Sequence, residues 1–145
     1  MADETVRALD ATDQRQILVA LQEWINSIGI LDDRLYLEFQ NGNFGYCIKS
    51  MGGSILEEDV LGDFSAEIQF GIYLTTNAVP DNSGDIFEPL NSLAAWFRKN
   101  GTAGLDIGAR RTPDEIKTLK TATHLSDPDE QNNVTFVSIF ELTYD

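Results

Sequence analysis

The stretch from Phe64 to Leu74 constrains the fold more than any other. Its even positions are all apolar: Phe64, Ala66, Ile68, Phe70, Ile72 and Leu74. Its odd positions are Ser65, Glu67, Gln69, Gly71 and Tyr73. Successive side chains on a strand point to opposite faces, so this pattern predicts a strand with one dry and one polar face. Eleven residues at about 3.3 Å each span roughly 36 Å, twice the usual strand. Such a strand is expected to be the spine of a sheet, with the rest of the chain pairing with it or covering it.

A chain of 145 residues is long enough to bury a core as one domain. Its hydrophobic fraction of 42% and aromatic fraction of 10% are globular values. The formal net charge of -14 opposes sequence-independent binding to DNA or RNA, which needs Lys and Arg against phosphate. It equally opposes docking on an anionic membrane. Cys47 is the single cysteine, which excludes an intrachain disulfide and a cysteine metal cluster. The opening Met-Ala-Asp-Glu is acidic and does not read as a signal peptide, and no run of 18 apolar residues suits a membrane span. The expectation from these features is a cytoplasmic fold.

Taken in order, residues 1–9 read as a loose arm and residues 10–145 as one α+β domain. Thr12 or Asp13 is placed to cap a first helix, with Gln16 in capping-box position to Asp13. Ile17, Leu21, Trp24, Ile25 and Ile28 share one face of it, and Gly29 is the expected stop. Burying five such side chains is worth about 10 kcal/mol gross, so the helix should lie on the sheet. Leu35, Leu37 and Phe39 alternate as a strand. Asn41-Gly42 is a type I′ hairpin signal leading to a return strand from Phe44 to Ser50. Met51-Gly52-Gly53 reads as a break, Ser54 to Val60 as a third strand, and Leu61-Gly62-Asp63 as the turn into the long fourth. These four strands are expected to form an antiparallel meander.

Thr75 to Ser83 reads as a loop and Asp85 to Asn100 as a second helix. Ile86, Leu90, Leu93, Ala94 and Phe97 form its stripe, and Pro89 is tolerated in its first turn. Gly101 to Glu115 reads as a glycine-rich loop carrying Arg110-Arg111. Ile116 to Leu125 is a more polar strand suited to an edge, 126–133 an acidic turn, and Val134 to Tyr144 a last strand. That strand also carries Val137 and Ile139 on its second face, so its middle is either covered twice or meets another subunit. The expected architecture is an antiparallel or mixed sheet of about six strands with two helices on one face. The order is helix, four strands, helix, two strands.

The chain offers little to catalysis. His124 is the single histidine, with no motif around it, and reads as an edge-strand side chain. Cys47 lies within a strand and reads as a small buried hydrophobe rather than a nucleophile. Glu57-Glu58-Asp59 would point to alternating faces and so would not converge on a cation; a solvated strand end is the simpler reading. Asp127-Pro128-Asp129-Glu130 lacks the glycine and terminal glutamate of a calcium loop and reads as an acidic turn. No Gly-Lys-Ser or Gly-Lys-Thr follows the glycines of 101–108, which excludes a P-loop, and Gly52-Gly53 is a turn for the same reason. Six of the ten basic residues fall in one segment: Arg98, Lys99, Arg110, Arg111, Lys117 and Lys120. No aromatic residue is interleaved after Phe97, as single-strand nucleic-acid binding would want. Contact with an acidic partner or another copy of the chain fits this segment better, a solvated loop being the bland alternative.

The layout resembles that of the tail terminator proteins of long-tailed bacteriophages, also called tail-completion or head–tail joining proteins and often minor capsid proteins. The likeness is carried by the amphipathic helix ending at Ile28-Gly29, by Gly52-Gly53 before a long strand, and by Phe64 to Thr75 within that strand. Ile86 to Asn100 resembles the second helix of these proteins. Ile116 to Leu125 and Val134 to Tyr144 resemble their closing strands after an exposed loop. It spans about residues 10–145 and rests on layout rather than on a short motif. It implies a structural virion protein without enzymatic activity and without cofactor or metal. It implies a homohexameric ring that caps the tail tube, docks to the head connector or stopper protein, and assembles in the bacterial host cytoplasm. DNA would pass through the ring without specific binding, which an acidic inner wall would favour.

Interface candidates follow from physical pattern. They are Arg110, Arg111, Lys117 and Lys120 in the basic segment, Glu67, Gln69 and Tyr73 on the polar row of the long strand, and Val137 and Ile139 on the last strand. Two other classes stay open: another phage part (tube, tail-completion or head-closure adaptor), and an unrelated small α+β binding module or enzyme. The tail terminator and the other phage parts require oligomers, and an enzyme requires polar groups converging in a pocket.

Overall fold

The computed structural model describes residues 11–31, 33–37, 45–58, 64–77, 88–108, 112–124 and 133–145. Two helices and five strands appear in the order α1 (Ala11–Ile28), β1 (Leu35–Leu37), β2 (Gly45–Glu58), β3 (Phe64–Asn77), α2 (Glu88–Asn100), β4 (Pro113–His124) and β5 (Asn133–Tyr144). The strands form one mixed sheet ordered β1-β2-β3-β5-β4. The class is α+β, as the sequence predicts, with five strands rather than six.

The expected spine is real and longer than its alternation. β3 continues through Thr75, Thr76 and Asn77, which the sequence reading assigns to a loop. These polar residues stay in the sheet because β5 pairs with them, Thr75 with Thr135 and Asn77 with Asn133. β3 is antiparallel to β2 on one side and to β5 on the other along nearly its whole length.

Three local expectations are corrected. First, β1 runs parallel to β2, with Leu35 beside Tyr46 and Leu37 beside Ile48. A two-residue turn joins only antiparallel strands, so the expected antiparallel pairing of these two strands is not the one found. Residues 38–44 lie outside the described residues. What fixes β1 is α1: Asn26 Nδ2 donates to Leu35 O at 3.0 Å, and Leu35 N–H donates to Asn26 Oδ1 at 2.9 Å. Gln22 Nε2 adds a third bond to Leu35 O at 3.0 Å.

Second, Met51-Gly52-Gly53 does not end a strand. β2 passes through it, with a register shift between Ser50 and Gly53. Gly52 sits at φ 98, a conformation that L side chains rarely adopt, so an extra residue is absorbed as a bulge. The two strands read on either side of the glycines are one, and the four-strand meander becomes three strands, of which only β2–β3 is antiparallel. Third, α1 already includes Ala11, so neither Thr12 nor Asp13 is its N-cap.

Both helices cover the same face. Ile17, Leu18, Leu21, Trp24 and Ile25 of α1 and Leu90, Leu93 and Phe97 of α2 join one core with Ile68, Phe70, Ile72, Phe136, Phe140 and Leu142. Trp24 stacks on Phe97 at 5.3 Å between centroids, Phe97 meets Phe140 edge-on at 5.2 Å, and Phe140 stacks on Phe70 at 5.5 Å. The aromatic chain therefore ties α1 through α2 to the central strands.

The segment after α2 is read from sequence as a loop, yet Leu105 and Ile107 alternate into the core. It is held there by Trp24, whose Nε1 donates to Ala103 O at 2.9 Å. At the end of the chain, Thr112 and Asp145 exchange two backbone hydrogen bonds of 2.9 Å, extending the β4–β5 ladder. Among the described residues, no buried side-chain polar atom lacks a partner.

Candidate assembly surfaces

The strand register decides which side chains share the face that the helices leave uncovered. Tyr73 pairs with Val137, Gly71 with Ile139, and Gln69 with Glu141. From the flanks, Cys47 pairs with Tyr73 and Lys49 with Gly71. Lys117 pairs with Glu141, and Lys120 with Ile139. The sheet thus gathers Glu67, Gln69, Tyr73, Val137, Ile139, Lys117 and Lys120 on one face, though the sequence places them in three separate strands. Arg110 and Arg111 lie outside the described residues.

The centre of this face is a small knot around Gly71. A Cβ built on Gly71 would lie 2.9 Å from Tyr73 Cε1 and 3.3 Å from Val137 Cγ2. The Tyr73 ring therefore folds back over the glycine, where any side chain would displace it. Lys49 Nζ stands over the same ring, 5.0 Å from its centroid. On the same face Cys47 and Val137 are buried, at 2% and 4% exposure, outside the core that the helices form. Burial pushes the Cys47 thiol up, with Lys49 opposing, so it behaves as a small hydrophobe rather than a thiolate nucleophile. Val137 is thus buried on this face, while Ile139 beside it is only partly covered.

Further along the strands the face turns acidic. Burial first, then a side-chain hydrogen bond to Glu67 and the charge of Glu67, hold the Glu141 carboxyl above the usual carboxylate range. Lys117 pulls it back and Glu115 adds to the rise. At the other end Thr75 and Thr135 share a hydroxyl hydrogen bond of 3.0 Å. This face can hold a proton between two carboxylates and can offer hydroxyl, amide and ammonium groups to a neighbour. Among the described residues, no group of three or more His, Cys, Asp or Glu is placed to hold a metal ion. No helix among them is long and apolar enough to cross a membrane.

The two edges of the sheet differ. The β1 edge is closed at Leu35, whose N–H and C=O are both taken by Asn26. Beside it, an open groove of about 500 Å³ is lined by Gln22, Glu23, Asn26, Asp33 and Arg34. The β4 edge is irregular, with register shifts between Pro113 and Glu115, Thr118 and Lys120, and Lys120 and Thr123. Leu119 lies at the second of these and is 46% exposed, flanked by exposed Lys117 and Lys120. The sequence reading picked out the two lysines and passed over Leu119. Its apolar side chain inside a charged edge strand was the available signal. Lys49 and Glu141 were also missed as site residues, because only the cross-strand register brings them to the others.

Charge is divided along the chain as well. Residues 98–120 hold six basic residues against Asp106, Asp114 and Glu115, a net of +3, while the remainder holds four basic and 21 acidic residues, a net of -17. No protein-family model matches this chain, and no curated protein matches it in sequence.

Proposed function

We propose that this chain is a structural subunit of a long-tailed phage virion, of the tail terminator kind. Copies close into a ring that caps the tail tube, stops its growth and joins it to the head connector. The observation that carries this reading is the face of the long sheet that neither described helix covers. β2 and β3 are each 14 residues, about 46 Å at 3.3 Å per residue, and both helices lie on their other side. A sheet of this length with a polar, hydrogen-bonding face suits a wall or a subunit contact better than a pocket for a small molecule.

The charge division supports the same reading. A subunit whose chain outside residues 98–120 carries a net of -17 repels nucleic acid and suits a ring through which DNA slides without sticking. Its one basic segment supplies the complementary patch that such a chain needs to meet its own kind. The layout resemblance adds the tail terminator as the specific form.

The test is functional. Added to a polymerising tail tube protein, the purified chain should cap the tubes and shorten their length distribution. Negative-stain images should show closed rings at tube ends. Tubes that grow to unchanged length with bare ends would contradict the reading.

A further inference from the structure

We infer that two unlike surfaces at opposite edges of the sheet join one copy of this chain to the next. The bulged β4 edge at Lys117, Leu119 and Lys120 seats in the groove between α1 and β1 that carries Glu23 and Asp33. The inference rests on the ring reading, because a ring requires a head-to-tail contact between different patches.

Copies do not join by continuing the sheet. Asn26 occupies both backbone hydrogen-bonding groups of Leu35, so no strand can add there. β4 is interrupted by three register shifts within 12 residues, which breaks the regular ladder that an added strand would need. Contact between copies must then pass through side chains, and the exposed side chains at the two edges are complementary. Lys117 and Lys120 are both exposed, and Lys117 pulls on the neighbouring Glu141 carboxyl. Between them Leu119 presents an apolar side chain that is 46% exposed; among the described residues Met51, at 45%, is the other large apolar side chain so exposed. The groove offers the exposed carboxylates of Glu23 and Asp33 beside the polar amides of Gln22 and Asn26. Arg34 also lines it, with its guanidinium 5.7 Å from the Tyr36 ring centroid.

The second copy is favoured over an unrelated acidic partner by position. The basic and acidic patches lie at the two ends of the strand order, β4 and β1, so each docking event leaves the same pair of patches free for the next copy. On a chain of net charge -14, bringing copies together requires such a local reversal of sign.

The experiment compares wild type, the double variant Lys117→Glu/Lys120→Glu, Leu119→Ser, and the reverse pair Glu23→Lys/Asp33→Lys. Folding of each is checked by circular dichroism and association by sedimentation velocity. All five positions are exposed, so the folds should hold. Wild type should associate at about 50 mM salt and loosen at least about tenfold near 500 mM, as screened charges do. Either charge-reversed variant alone should associate at least about tenfold more weakly, and Leu119→Ser should also weaken association. An equimolar mixture of the two charge-reversed variants should recover it. Wild-type rings that both variants form equally well would overturn this interface and leave the ring reading standing. Rings made through this interface that do not affect tube length would uphold it and overturn the tail terminator reading. A wild-type chain that stays monomeric at low salt would overturn the interface together with the ring.

Discussion

Phe70 and Phe140 sit side by side on the helix-covered face of the sheet, and their chain neighbours Gly71 and Ile139 sit side by side on the other. The first pair is fully buried, stacked, and tied through Phe97 and Trp24 to both helices. The second pair forms part of a thin layer made by Tyr73 folded onto glycine, Val137, and a lysine over the ring. One residue of offset along the strand separates a close-packed core from a polar surface. The covered face is built for stability. The open face is not: there burial first, then hydrogen bonding to Glu67 and its charge, raises the Glu141 carboxyl.

The contrast can be broken by substitution, and the largest effect belongs to the covered face. Phe140→Ala should cost about 3–5 kcal/mol in urea denaturation, while Ile139→Ala costs under about 1.5 kcal/mol. If Phe140→Ala fails to fold, Phe140→Leu should fold and still rank as more destabilising than Ile139→Ala. Equal costs at 139 and 140 would erase the distinction between the faces.

Gly71→Val should come next, at about 1–3 kcal/mol, because the new side chain must displace the Tyr73 ring from its 2.9 Å approach. Restoring room with Gly71→Val/Tyr73→Ala should recover part of that loss, which a double-mutant cycle measures. Asn26→Ala should cost about 1–3 kcal/mol by leaving Leu35 N–H and C=O without their side-chain partner. It should also raise hydrogen exchange at Leu35.

The smallest effect sharpens the picture of the open face. The Glu141 carboxyl is raised in the fold, so its favourable contribution is present below its ordinary value of 4.5 and is lost as pH rises through the folded-state value. At neutral pH the ionised group therefore opposes folding. Glu141→Gln should raise stability at pH 7, by no more than about 0.5 kcal/mol for a half-buried carboxylate that Lys117 also attracts. The gain should shrink toward zero as the pH falls below 4.5. A loss of stability at pH 7 would mean that Lys117 outweighs Glu67 at this carboxylate.

How much was legible in the sequence follows from which interactions are local. β3, β5 and the apolar stripes of α1 and α2 were readable because period-2 and period-3.6 burial is written into consecutive residues. β4 was readable as an edge from its charges. The parallel β1 was not, because its direction is set by Asn26 and Gln22 reaching across from α1. The Gly52 bulge looked like a break because a bulge and a turn use the same residue for the same backbone reason. Leu105 and Ile107 were hidden within a glycine-rich segment that only tertiary contact with Trp24 pins down. On the open face, the sequence supplied one row of side chains per strand, and register alone set Lys49, Gly71, Ile139 and Lys120 in line.

The most direct measurement is the mass and shape of the purified chain at low salt, by mass photometry and electron microscopy together. The account predicts closed rings of about six copies of the 16.1 kDa chain, dispersing as salt is raised. A monomer at every concentration, or open filaments in place of rings, would contradict it.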